Sequence, residues 1–167
     1  MEAPLKRLVI ISDMHCGHRA GLTPPGAGYQ ADDPIEAHRH FAELQRAMWS
    51  WYADTLEALQ PIDTLVVNGD AIDGKGERSG GTEQYEMDRH VQAMLAARCI
   101  REARAAKVFI IRGTPYHTGR DEDFEDTVAA EVGAAHIGFH DWVDCEGVVF
   151  DFKHKVSISV VPYGRDT

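Results

Sequence analysis

Apolar residues in this chain fall into short compact runs, separated by stretches where they recur every three or four positions. Leu5 to Ser12 (LKRLVIIS), Asp63 to Asn68 (DTLVVN) and Val108 to Ile111 (VFII) are the compact runs. Rich in Val and Ile, they read as buried strands. Between the first two, Phe41, Leu44, Met48, Trp51, Thr55 and Leu59 put apolar groups on one face of a helix that Pro61 ends. Trp49 and Trp51 belong, on this pattern, to the packing of that helix. Asp33-Pro34-Ile35-Glu36 has the composition of its start, with Asp33 as N-cap, Pro34 at the first helical position and Glu36 completing a capping box. Met87, Val91, Met94, Leu95, Arg98 and Cys99 mark a second amphipathic helix running to about Ala106. Asp121 to Val132 is a shorter helix whose acidic first turn suits the helix dipole. Gly17 to Asp33 and Gly74 to Gly81 are loops. After Gly133 the pattern changes. Val148 to Phe152 and Val156 to Val161 read as strands with no helix between them, and Gly138 makes His136 and His140 loop or strand residues rather than a helical zinc pair.

Strand, helix, strand, helix, strand predicts βαβ units and a parallel sheet, hence an α/β fold. With no repeat and no linker, residues 1–167 form one domain, long enough to bury a core. No run approaches the roughly 20 apolar residues of a membrane span, so no membrane partner is expected. Cys16, Cys99 and Cys145 are odd in number and widely spaced, unlike a disulfide framework, which points to the cytoplasm. The net charge of −10 comes from 27 acidic and 17 basic side chains and argues against a sequence-independent nucleic-acid binder, which needs a basic face. A nucleic-acid partner is permitted but not indicated, and most of the acidic excess is solvated surface.

The chemistry collects where the strands end, the place at which open α/β sheets bind ligands. The first strand is followed by Ser12-Asp13-Met14-His15-Cys16-Gly17, the second by Gly69-Asp70-Ala71-Ile72-Asp73-Gly74, and the third by Arg112-Gly113-Thr114-Pro115-Tyr116-His117. A single Asp after a strand is ordinarily a turn residue. Three successive strand ends carrying Asp and His are not explained that way. Carboxylate and imidazole together suit Mn, Fe, Zn or Ni better than Ca or Mg, which take oxygen. His18 and Arg19 beside the first motif are read as surface loop.

Asp13-x-His15 followed by Gly69-Asp70-x-x-Asp73 resembles the first two signature motifs of the calcineurin-like metallophosphoesterases, in order and at strand ends. The family's third motif, Gly-Asn-His-Asp/Glu, is altered here to Gly113-Thr114-Pro115-Tyr116-His117. His154 takes the position of the fourth. The fifth, Gly-His-x-His, is not found after His154, and the expectation is a chain shortened at its C-terminus. The resemblance implies layered β-sheets flanked by helices and a metal-dependent phosphoester hydrolase, a phosphatase or phosphodiesterase with two divalent metal ions and a metal-activated water. It implies Asp13 and His15 on the first metal, Asp70 bridging both, and His154 on the second with Thr114 in the place of the usual Asn. It also implies His117 as general acid or oxyanion stabiliser, oriented by Asp73. The competing reading is a catalytically impaired phosphoesterase fold used as a binding or assembly module.

Overall fold

The computed structural model describes residues 5–76, 79–118 and 124–155. The strand expected at Val156 to Val161 and the first residues of the helix expected from Asp121 lie outside the described residues.

In chain order the elements are β1 (Leu8–Ile11), α1 (Glu36–Ala58), β2 (Thr64–Asn68), α2 (Arg89–Glu102), β3 (Lys107–Ile111), α3 (Pro115–Thr118), α4 (Phe124–Val132), β4 (His136–Gly138), β5 (Asp141–Cys145) and β6 (Val148–Phe152). β1 to β4 form one parallel sheet in the order β1-β2-β3-β4, and β5 and β6 form a separate antiparallel hairpin. The expected α/β class and parallel sheet are present. Leu8 pairs with Thr64 and Ile11 with Val67, while Asn68 pairs with Ile111, so the C-terminal ends of the first three strands lie side by side.

Alternation along the central strands divides the interior. Leu65, Val67 and Ile110 face Tyr52 and Leu56 of α1, Ala93, Ala96, Cys99 and Ile100 of α2, and Val128 of α4. Val66 and Ile111 face the other way and pack on Val143 and Phe152 of the hairpin. The result is three layers: helices, sheet, hairpin. A strand buried on both faces must be apolar at successive positions, which is why β2 reads as a continuous hydrophobic run.

The structure corrects several local expectations. Ile35, not Asp33, occupies the N-cap of α1 and makes no side-chain cap. Asp33 Oδ1 instead accepts from the Ile35 amide at 2.8 Å, an Asx turn one step ahead of the helix. On α1 the fully buried positions are Ala42, Gln45, Tyr52 and Leu56, one position round from the expected stripe, and Trp51 is 70% exposed. The helix is apolar over a wider arc than one core contact uses. α2 runs from Arg89 with Asp88 as N-cap, its carboxylate accepting from His90 N at 2.8 Å and Val91 N at 3.4 Å. Its buried face is Gln92, Ala93, Ala96, Ala97, Cys99 and Ile100, whereas Met87 and Val91 are exposed. Small alanines give α2 its close packing against α4, which a pattern weighted toward large residues does not register. β1 is half-buried, with Ile10 50% exposed, because it pairs only on its β2 side among the described residues.

These contacts set two different magnitudes. Leu65→Ala removes a fully buried side chain from the middle of the sheet and should cost about 2–5 kcal/mol. Asp88→Ala removes one helix cap and should cost about 1 kcal/mol. Urea denaturation of both variants checks the ranking; equal losses would contradict the layer assignment.

Candidate metal centre

The loops after β1 and β2 continue the sheet's pairing past the strands themselves. Asp13 N donates to Gly69 O at 3.1 Å, His15 N to Asp70 O at 3.0 Å, Cys16 N to Ala71 O at 3.1 Å and Asp73 N to Cys16 O at 3.1 Å. Asp13, His15 and Asp70 pay for this close approach in backbone conformation, with φ of 54°, 44° and 49°. Non-glycine residues in the left-handed region cost about 1–3 kcal/mol each and persist where the surroundings over-determine them. All three carry side chains that point to the same place.

Two glycines are required by proximity. A Cβ on Gly69, at φ +83°, would run into the His154 ring, and one on Gly113 would run into the Asp70 carboxylate and backbone. The third strand end therefore comes as close to Asp70 as a backbone can. Thr114 N donates to Asp70 Oδ1 at 2.6 Å, and the Thr114 hydroxyl lies 3.3 and 3.4 Å from the two carboxylate oxygens.

The segment after β3 closes on itself. Pro115–Thr118 form one helical turn, α3, with His117 N bonded to Thr114 O at 2.9 Å. Pro115 suits the first helical position. The turn returns His117 to the site.

Two imidazoles are anchored in the same manner. His154 Nδ1 lies 2.6 Å from Asn68 O, and His117 Nδ1 lies 2.7 Å from Asp73 O. A carbonyl oxygen only accepts, so Nδ1 carries a proton in both rings, and in the neutral imidazole Nε2 presents a lone pair. Both lone pairs converge on one atom, Asp70 Oδ2, at 3.2 Å from His154 and 3.8 Å from His117. His15 approaches from the β1 side, with Nε2 3.7 Å from Asp13 Oδ1 and Nδ1 3.6 Å from Asp73 Oδ1. The His15 and His117 rings meet edge to face at 4.4 Å.

All seven residues singled out in the sequence are brought together: Asp13, His15, Asp70, Asp73, Thr114, His117 and His154. Their grouping differs in detail from the expected one. Asp13, Asp70 and His154 form one set whose ligand atoms lie within 4.8 Å of one another, and His15, Asp73 and His117 form a second. Asp73 holds His117 through its main-chain carbonyl, while its carboxylate sits almost equally far from His15 and His117, at 3.6 and 3.7 Å. Gln84 was not visible from the sequence; its amide donates to Asp73 Oδ2 at 2.9 Å and to Gly74 O at 2.7 Å. No spacing rule links a loop glutamine to an aspartate on another loop.

Charge and burial fit a cation. Asp70 and Asp73 are buried, at 4% and 6% exposure. His15 Nδ1 is buried with no hydrogen-bond partner, facing a carboxylate at a distance too long for a hydrogen bond. The nearby Asp73 carboxylate holds the His15 imidazole above its ordinary pKa, against the opposing effect of burial. Burial pushes the Asp73 carboxyl up, yet its pKa lies below the usual value because His15 and Gln84 together outweigh that push. Two lone-pair-bearing atoms 3.2 Å apart, His154 Nε2 and Asp70 Oδ2, need a proton or a cation between them. A carboxylate–imidazole set with its rings fixed through Nδ1 is the donor arrangement of transition-metal sites. Each set could hold a metal ion.

A cleft of about 830 Å³ opens beside the second set and runs between β1 and α1. Asp13, His15, Asp73 and His117 form its polar end, with His18 at the margin, and Val9, Ile11, Met48, Trp51 and Leu59 line the remainder. His18, read from sequence as surface loop, thus borders the site. Among the described residues no helix is long and apolar enough to cross a membrane.

Comparison with known proteins adds no family to this geometry: no family model matches the chain, and no curated protein matches it.

Proposed function

We propose that the chain is a metal-dependent phosphoester hydrolase of the calcineurin-like metallophosphoesterase type, with a dinuclear centre around Asp70. The observation that carries this reading is the convergence of the His154 and His117 Nε2 atoms on a single oxygen of a buried carboxylate. Asp70 belongs to the set with Asp13 and His154 and lies 3.8 Å from His117 of the other, and a carboxylate so placed can serve two cations and offset their mutual repulsion. The order of the motifs, Asp13-x-His15, Gly69-Asp70-x-x-Asp73 and then His154, supports the same assignment.

Asp13, His15, Asp70 and His154 are the proposed ligands of two divalent ions drawn from Mn, Fe, Zn or Ni, with the Thr114 hydroxyl completing the Asp70 side. Bound there, two such ions would supply an activated water and positive charge toward the phosphoryl oxygens. The protein's own contribution is to fix these groups before substrate arrives. Asn68 and Asp73 carbonyls set the tautomers of His154 and His117, and the paired loops hold Asp13, His15 and Asp70 in their strained conformations. His117, at the edge of the cleft, keeps Nδ1 on the Asp73 carbonyl, so in its protonated form Nε2 carries the proton given or hydrogen-bonded to the leaving oxygen. The substrate is a phosphomonoester or phosphodiester.

Two variants separate ligand from acid. Asp70→Asn should lower metal content at both positions, since Asp70 is the shared ligand; inductively coupled plasma analysis of wild type and variant reads this directly. Unchanged content would remove Asp70 from that role. His117→Ala should retain metal close to the wild-type level and reduce turnover of bis-p-nitrophenyl phosphate by roughly 10²–10⁴-fold, the usual size of a general-acid contribution. Loss of a metal ion in this variant would instead make His117 a ligand.

A further inference from the structure

Glu125 has no place in the chemistry proposed above, yet its side chain is fully buried. It stands in the first turn of α4 and reaches across to the sheet. Its Oε2 accepts from Gly113 N at 2.9 Å and its Oε1 from Ala71 N at 3.3 Å. Those amides belong to the residue directly after Asp70 and the residue directly before Thr114. One carboxylate therefore ties together the two loops whose approach creates the Asp70 environment. Burying a carboxylate costs free energy, and here it is placed near a second one, Asp70, so its retention needs a compensating role.

We propose that Glu125 is a positioning residue for the metal centre, holding Asp70 in its left-handed conformation and keeping the Thr114 amide on its carboxylate. The geometry supplies each link. Asp70 at φ 49° is held on its carbonyl by His15 N, and the following amide is held by Glu125. On the other loop, Glu125 fixes Gly113, which lies against Asp70, and Thr114 N then donates to Asp70 Oδ1 at 2.6 Å. Without the Glu125 bridge neither loop has a side chain joining it to the other through these amides. Asp73 and His117 are anchored independently of Glu125, through Gln84 and the Asp73 carbonyl. Because Asp70 is shared, both metal positions feel the loss, and the one that also uses Thr114 and His154 feels it more.

This inference rests on the proposed metal centre, and the test separates the two. Mn(II) alone is titrated calorimetrically into wild-type protein, Glu125→Gln and Glu131→Gln, with melting temperature recorded for each. Gln keeps the shape of the side chain but sets an NH2 against one of the two amide donors. Glu131, on the same helix, pairs with Arg101 on the surface and serves as the control. For Glu125→Gln the stepwise affinity for one Mn(II), the one that also uses Thr114 and His154, should fall by roughly 10–100-fold and that for the other by less, so that the ratio of the two changes, the usual reach of a group that orients ligands. Glu131→Gln should match wild type. A merely structural role would lower the melting temperature and leave the ratio of the two affinities unchanged, which overturns the inference. Wild-type protein that binds no Mn(II) overturns the metal centre and the inference with it. If Glu125→Gln does not fold, Glu125→Asp, one methylene short of the amides, should show the same selective weakening; wild-type affinities in that variant overturn the proposal.

Discussion

A buried carboxylate faced by two imidazole nitrogens is the constraint around which this protein is arranged. Asp70 Oδ2 has His154 Nε2 at 3.2 Å and His117 Nε2 at 3.8 Å, and both rings are committed through Nδ1 to main-chain carbonyls. Asp13, Asp73 and Glu125 add negative charge close by. An array of acceptors of this kind is unfavourable in a low-dielectric interior without a cation. The parallel sheet makes the array possible by setting three strand ends level, so that loops from β1, β2 and β3 meet within hydrogen-bond reach. The left-handed conformations of Asp13, His15 and Asp70 are the local cost of aiming three side chains from tightly paired loops at one point.

The sequence showed the frame and the residues gathered at its strand ends, and it did so for a definite reason. Strands buried on both faces leave continuous apolar runs, and a site built at strand ends leaves its Asp and His residues directly after those runs. Asp13, His15, Asp70, Asp73 and His117 were legible by that adjacency. His154 was legible only by its place after a later strand. What the sequence hid was anything set by packing between distant elements. The buried faces of α1 and α2 are rotated from the positions of the largest apolar residues, because Ala93, Ala96 and Ala97 permit close approach and Trp51 and Met87 do not. Gln84 and Glu125 hold the site through loop amides and carboxylates far from them in sequence, and neither belongs to a local pattern.

The third strand end returns its histidine to the site within one helical turn. An extended chain over Thr114, Pro115 and Tyr116 would carry His117 away from Asp70. Pro115 instead starts a single helical turn, and the Thr114 O to His117 N bond closes it. Thr114 then offers Asp70 an amide and a hydroxyl, so the position contributes donors to the carboxylate. The cleft that begins at His15 and His117 gives this corner an approach lined by β1 and α1.

The central claim is that Asp70 lies between two metal positions and not beside one. Electron paramagnetic resonance of the protein loaded with increasing Mn(II) tests it most directly, because two Mn(II) ions sharing a carboxylate couple magnetically and isolated ions do not. The account predicts that a spin-coupled signal grows in as the second equivalent binds. A spectrum that stays that of isolated Mn(II) up to saturation would contradict a dinuclear centre at Asp70.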